Sequence, residues 1–235
     1  MKKILSIIAL TAILTMLGVN TMLLYGCDKT ASGKVDPKYA TEYTNSDNPR
    51  VTINMTDGKS ITVELYPEVA PLAVARFLEC CNDGFYNNKV YHRIISGFVV
   101  QGGGLYYEGN NLLQAPTTKY PSIKGEFALN GVDNPLKHLF GVIAFGRLGG
   151  NEATDYMYYD TTTVQFYLCL ADLPSLDNRY TTFGRIIDQS SADVLSAYGN
   201  VETTDVGNNK NVPLKPITIK NTKIDWRKYK QNYLK

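Results

Sequence analysis

Arg93 is a permanent cation set in an apolar stretch, which reads Tyr91-His92-Arg93-Ile94-Ile95-Ser96-Gly97-Phe98-Val99-Val100-Gln101-Gly102-Gly103-Gly104. A guanidinium is neither acid nor base near neutral pH. It is a fixed fork of hydrogen-bond donors. Gln101, downstream, adds an uncharged amide. Two runs rich in strand-forming residues flank a Ser96-Gly97 turn signal. If they pair, Arg93 and Gln101 meet on one face beside Phe98. A greasy wall with one fixed donor suits a neutral substrate that needs one strong hydrogen bond. By spacing alone, such an arginine reads more readily as a solvated charge at a sheet edge.

Other chemistries find less support. Gly102-Gly103-Gly104 lacks the Lys-Ser/Thr that completes a phosphate-binding loop. The two histidines, His92 and His138, form no metal-spaced cluster with cysteines, and no Ser/His/Asp spacing recommends a hydrolase. His138 reads as structural, holding a loop by a hydrogen bond. Cys80 and Cys81 sit together on an expected helix, and Cys169 lies in an apolar run. All three read as small buried hydrophobes.

The elements that must position Arg93 are legible in order. Residues 51–55 and 60–65 alternate around Asp57-Gly58, a hairpin signal. Pro71 suits the first turn of a helix whose apolar residues recur three and four apart through Cys81, with Gly84 as its stop. Residues 105–124 read as a long irregular part. Residues 141–145 and 164–170 are apolar runs, and residues 148–163 read as an exposed loop, its tyrosines facing substrate or covering a core edge. A second short helix is expected over residues 190–198, with Ser190 or Ser191 as cap and Gly199 as terminator. Residues 213–219 would supply a closing strand.

Residues 91–104 resemble the signature of the cyclophilin family of peptidyl-prolyl isomerases, close to Phe-His-Arg-Ile-Ile-Pro-Gly-Phe-x-x-Gln-Gly-Gly-Asp. Tyr91, Ser96 and Gly104 are departures from it. Val164-Gln165-Phe166-Tyr167 is similar to that family's Ser-Gln-Phe-Phe, and residues 175–184 to its Trp-Leu-Asp-Gly-x-His-x-x-Phe-Gly. The resemblance implies a mainly β fold: a closed eight-stranded antiparallel barrel capped by two short helices. It implies isomerisation of Xaa-Pro bonds without a cofactor or metal, on proline-containing polypeptides. By position, Arg93 would be the donor and Gln101 its orienting partner. Phe98, Val99, Tyr167 and Leu176 would wall the proline pocket, and Tyr180 stands where many members carry His. Gly146 and Gln165 would line the cleft for the residues before proline. Ser175 replaces a Trp that helps bind cyclosporin in sensitive members, so weak drug binding is implied. The alternative is a non-catalytic barrel that grips proline-containing segments.

At the N-terminus, Lys2 and Lys3 precede an apolar run ending Leu24-Tyr25-Gly26-Cys27, an export signal resembling a bacterial lipobox. A retained transmembrane anchor competes with cleavage before an acylated Cys27. Either reading places the domain outside the cytoplasm, tethered to the cell membrane. The expected organisation is a signal peptide over residues 1–26 and lipid attachment with a flexible linker over 27–48. The cyclophilin-like domain takes residues 49–225 and a basic tail 226–235. Loss of Lys2 and Lys3 would leave 22 basic against 22 acidic residues, which argues against nucleic acid as partner. A monomer is expected.

Overall fold

The computed structural model describes residues 34–229. The expected signal peptide, the lipobox and Cys27 lie outside them, as do residues 230–235. Alternating apolar residues form the first hairpin, β1 (Arg50–Met55) and β2 (Ser60–Leu65), whose inward residues Val51, Ile53, Ile61 and Val63 are fully buried. Helix α1 (Pro71–Asn82) follows, then β3 (Val90–Ile95), β4 (Val99–Glu108) and β5 (Asn111–Gln114). The chain continues through β6 (Val142–Phe145), β7 (Phe166–Cys169) and β8 (Thr182–Ile186) to helix α2 (Gln189–Gly199). It ends with a small hairpin, β9 (Thr203–Val206) and β10 (Asn209–Pro213), and a long strand, β11 (Ile217–Asp225).

Strand order around the sheet is β3-β11-β1-β2-β8-β6-β7-β4, and β4 pairs back onto β3. Eight antiparallel strands therefore close on themselves, which leaves none of the eight with an open edge apart from where β5 adds onto β4. The interior is filled by side chains, as a barrel of this size requires. Phe77 of α1 is the centre of an aromatic cluster, with ring centroids 5.3 Å from Tyr86, Phe166 and Phe183. Helix α1 has no side-chain cap of its own. Instead the Glu126 carboxylate, 54 residues away in sequence, accepts from the Leu72 and Ala73 amides at 3.0 and 2.8 Å. It thereby satisfies two of the orphan donors at the positive end of the helix.

Five sequence expectations need correction. Residues 35–48 are not a free linker. Tyr39 is in the core, Tyr43 packs against it, and the Asp36 amide donates to the Ile187 carbonyl at 2.8 Å. The cause is Glu64, fully buried in β2, which needs partners. Arg50 supplies an ion pair at 2.8 Å, and Asn45 and Asn48 donate to its other oxygen. The tail is not free through residue 229 either, since Trp226 and Tyr229 pack on the core and Arg227 donates to the Ser46 carbonyl. The irregular part is shorter than expected, because β4 runs on to Glu108 and turns back as β5. The closing strand begins at Ile217, and Pro213 ends β10. Helix α2 is capped by Asp188, which accepts from the Ser191 amide at 2.7 Å, while the Ser191 hydroxyl accepts from Thr62.

His92 is buried with Nδ1 unpartnered, and burial pushes its pKa down to about 4. Burial lowers His138 as well, against the opposing pull of Asp177. A histidine whose folded pKa is lowered stabilises the fold above the unfolded value of about 6.5, and that stability is lost as pH falls toward the folded value. Asp57, Asp83, Asp155 and Asp205 are held below the ordinary 3.8 and respond only in stronger acid. Glu126, raised by burial, works in the opposite sense, so comparison with a His92→Leu variant isolates the histidine. Urea unfolding at pH 7 and pH 5 should show the native chain losing about 2 kcal/mol more than His92→Leu over that step. Equal losses in the two would assign the acid sensitivity elsewhere.

Candidate active site

The site is built on the β3–β4 hairpin. Gly97, at φ +69, makes the turn after Ser96, and the Phe98 amide donates to the Ile95 carbonyl at 3.0 Å. Ile95 then faces Val99, Ile94 faces Val100, and Arg93 faces Gln101. The next pair is Tyr91 with Gly102, so His92 is the extra residue of a bulge. A bulge re-aims the side chains beside it. Here His92 turns inward and Arg93 is left half-buried at the surface of the barrel.

Arg93 Nη1 donates to Gln101 Oε1 at 3.2 Å. Gln101 Nε2 donates to Gln165 Oε1 at 3.0 Å, and the Gln165 carbonyl accepts from the Gly146 amide at 2.7 Å. The guanidinium is thus tethered by one neutral bond, and among the described residues no carboxylate pairs with it. Gln165 lies over the backbone of Gly104. A Cβ at Gly104 would sit 2.4 Å from Gln165 Cγ, so glycine is what leaves room for the amide that holds Gln101.

Beside Arg93 lies a cleft of about 190 Å³, lined by Arg93, Phe98, Val99, Gln101, Gly146, Arg147, Tyr167, Leu176 and Tyr180. That is below the roughly 300–1,000 Å³ of sites enclosing a whole small molecule, and fits one compact side chain. Tyr167 is fixed from behind. His138 Nδ1 lies 3.0 Å from Asp177 Oδ1, an oxygen that also accepts from the His138 amide at 2.8 Å. A carboxylate accepts only, so Nδ1 carries the proton and Nε2 accepts from the Tyr167 hydroxyl at 3.1 Å. Burial keeps that phenol protonated by raising its pKa. His138 is structural, as expected.

Of the nine residues expected at the site, eight line this one cleft. Gln165 does not line it but holds Gln101 from behind. Arg147 was missed. Its guanidinium forms two bonds to Asp155, at 2.9 and 2.8 Å, donates to the Arg179 carbonyl at 3.1 Å, and lies 4.6 Å from the centroid of the Tyr180 ring. The available signal was an arginine directly after Gly146, followed by an insertion with its own carboxylates. Within that insertion Tyr159 covers Phe127 and Arg147, whereas Tyr156 is exposed.

Comparison with known proteins bears on the family and the fold. Residues 50–224 match the family model described as cyclophilin type peptidyl-prolyl cis-trans isomerase/CLD. The peptidyl-prolyl cis-trans isomerase A of Dickeya dadantii is 34% identical over 174 residues, covering 72% of this chain and 81% of that protein. A peptidyl-prolyl cis-trans isomerase of Helicobacter pylori is 38% identical over 151 residues, covering 64% and 80%. A Cryptosporidium parvum cyclophilin type isomerase, solved in the presence of the dipeptide Ala-Pro, superposes with a TM-score of 0.57 at 23% identity, over 74% of this chain and 96% of that one. The closed antiparallel barrel with two helices is the fold of these cyclophilin structural neighbours. This chain belongs to the cyclophilin-type peptidyl-prolyl cis-trans isomerase family.

The fit of Gln165 over Gly104 is testable. Gly104→Ala should lower unfolding stability by about 1–3 kcal/mol through overpacking. In a Gln165→Ala background, where the clashing atoms are gone, the same change should cost less than half as much in urea unfolding. Equal costs in both backgrounds would mean that the alanine meets something other than Gln165.

Proposed function

We propose that this chain catalyses cis-trans isomerisation of Xaa-Pro bonds in polypeptides, with the proline ring in the cleft beside Arg93. The observation that carries this reading is a guanidinium at the edge of a ring-sized cleft walled by Phe98, Val99, Leu176 and two tyrosine rings, tethered among the described residues by Gln101 at 3.2 Å. The barrier to rotation, roughly 18–20 kcal/mol, is lost C–N conjugation. In the twisted state the prolyl nitrogen becomes pyramidal and gains a lone pair that accepts a hydrogen bond. A donor aimed there stabilises the twisted state and not the planar one, which is the condition for acceleration. Lowering the barrier by about 7 kcal/mol gives roughly 10⁵-fold. No nucleophile or proton transfer enters.

In this reading Arg93 is the donor and Gln101 orients it. Phe98, Val99, Tyr167 and Leu176 hold the proline ring, and Tyr180 closes the cleft. Gly146 serves the residue before proline, and Gln165 acts by holding Gln101. Purified full-length protein should speed the cis-to-trans relaxation of an Xaa-Pro peptide, and Arg93→Ala should lower kcat/KM by about 10²-fold or more. A wild type that binds the peptide without speeding relaxation would instead be a binding module.

We further propose that the protein works outside the cytoplasm on exported polypeptides, as a monomer held to the membrane by lipid on Cys27. The support is the charged start, the apolar run and Leu24-Tyr25-Gly26-Cys27. Acyl chains in combination would hold it firmly. Cells expressing the protein and fed labelled palmitate should label the wild type and not Cys27→Ser. Equal labelling of the two would remove Cys27 as the anchor.

A further inference from the structure

The loop inserted between β6 and β7 reaches the cleft through one side chain. The Arg147 side chain is 1% exposed, and its donors are almost fully used. Nη1 donates to the Leu148 carbonyl at 2.8 Å and to Asp155 Oδ1 at 2.9 Å, Nη2 to Asp155 Oδ2 at 2.8 Å, and Nε to the Arg179 carbonyl at 3.1 Å. Its Cζ lies 4.6 Å from the Tyr180 ring centroid. Arg147 therefore grips Tyr180 twice, by the peptide carbonyl just before it and by the face of its ring. Tyr180 in turn meets Tyr167 edge to face at 6.1 Å, and both rings line the cleft.

We propose that Asp155 is a positioning residue for the isomerase site, fixing Tyr180 through Arg147 so that the inserted loop sets how tightly substrate is held beside proline. This rests on the isomerase reading given above. Asp155 touches no substrate. It supplies the counter-charge that keeps a buried guanidinium in place against the ring. Without it the cation is unpaired and buried, a state costly enough to drive the side chain toward solvent. Its departure would free both the Tyr180 ring face and the Arg179 carbonyl. Arg179 also pairs with Asp155 Oδ2, at 3.7 Å, and being a cation itself it offers Arg147 no replacement counter-charge.

Asp155 also accepts from the Gly150 amide of its own loop at 3.4 Å, but the loop has tethers that do not involve it. Ile123 bridges to Thr162, Asp160 accepts from the Gly125 amide and from Asn130, and the Leu148 amide donates to Thr161. Asn151 caps the turn before Asp155 by accepting from Ala153 and Thr154. Asp155 can therefore be altered with the loop still attached at both ends. The Arg147 contact also holds the Asp155 carboxyl below its ordinary range, so the pair stays charged at assay pH.

The experiment compares full-length wild type, Asp155→Asn and Asp155→Glu in mild detergent, each with and without Tyr180→Ala. An Xaa-Pro peptide is used both for cis-to-trans relaxation and for a binding titration by NMR. Asp155→Asn is expected to raise KM and Kd about tenfold with kcat changed by less than about twofold, and Asp155→Glu to recover most of that loss. In the Tyr180→Ala background the same Asp155→Asn change should have no further effect. A shift that persists undiminished without Tyr180, or no shift in the wild-type background, overturns the inference. A wild type that neither binds nor speeds the peptide overturns the isomerase reading and this role with it.

Discussion

Gln101 occupies the point where the barrel closes. It faces Arg93 of β3 on one side and Tyr167 of β7 on the other, and Tyr167 faces Ala144 of β6. The proposed donor, the amide proposed to orient it and a wall of the cleft therefore stand in one row across four strands. Side chains alternate with a period of two along a strand, so a slip of one residue at this seam would turn the row over to the interior. It would also force Arg93 into the core and expose Val100. The apolar alternation that closes the barrel is thus the same constraint that assembles the site. The bulge at His92 adds the last adjustment by leaving Arg93 outward while Tyr91 and Ile94 remain in the core.

Two arginines border the cleft and have opposite surroundings. Arg147 is enclosed by Asp155, two carbonyls and three aromatic rings, and is a structural strut. Among the described residues, Arg93 has one neutral tether. A donor paired with a carboxylate would already be stabilised before the substrate twists, and would gain little in the twisted state. A donor held only by an amide keeps its direction and leaves N–H groups for a nitrogen that accepts only when conjugation is lost. The contrast follows from which residues the folding chain delivers to each guanidinium.

Much of this could be read from sequence, for a physical reason. Strand alternation, the Ser96-Gly97 turn and the spacing of apolar residues before Gly84 are local patterns, and each determines a nearby piece of structure. The pairing of Arg93 with Gln101 followed from them. What escaped were long-range polar partnerships. Glu126 caps a helix 54 residues before it, and Glu64 draws residues 45 and 48 onto the barrel, which made a polar segment look like a linker. Asp155 reaches Arg147 through an insertion without periodicity. Such pairs leave no repeat in the sequence, because they are set by where a buried charge happens to need a partner.

The walls of the cleft show why these pairings matter to the chemistry. Tyr167 and Tyr180 both carry hydroxyls and both have rings that must stay put. Tyr167 is held by a hydrogen bond to His138, itself oriented by Asp177, and Tyr180 by Arg147. Neither wall relies on apolar packing alone, and a directional partner behind each ring removes the freedom that a flat surface would allow. A reaction that needs only a donor in the right place is sensitive to position above all, since small misplacements of a reacting group are costly in rate. The polar struts behind the cleft walls are therefore as much a part of the proposed catalyst as the guanidinium that faces it.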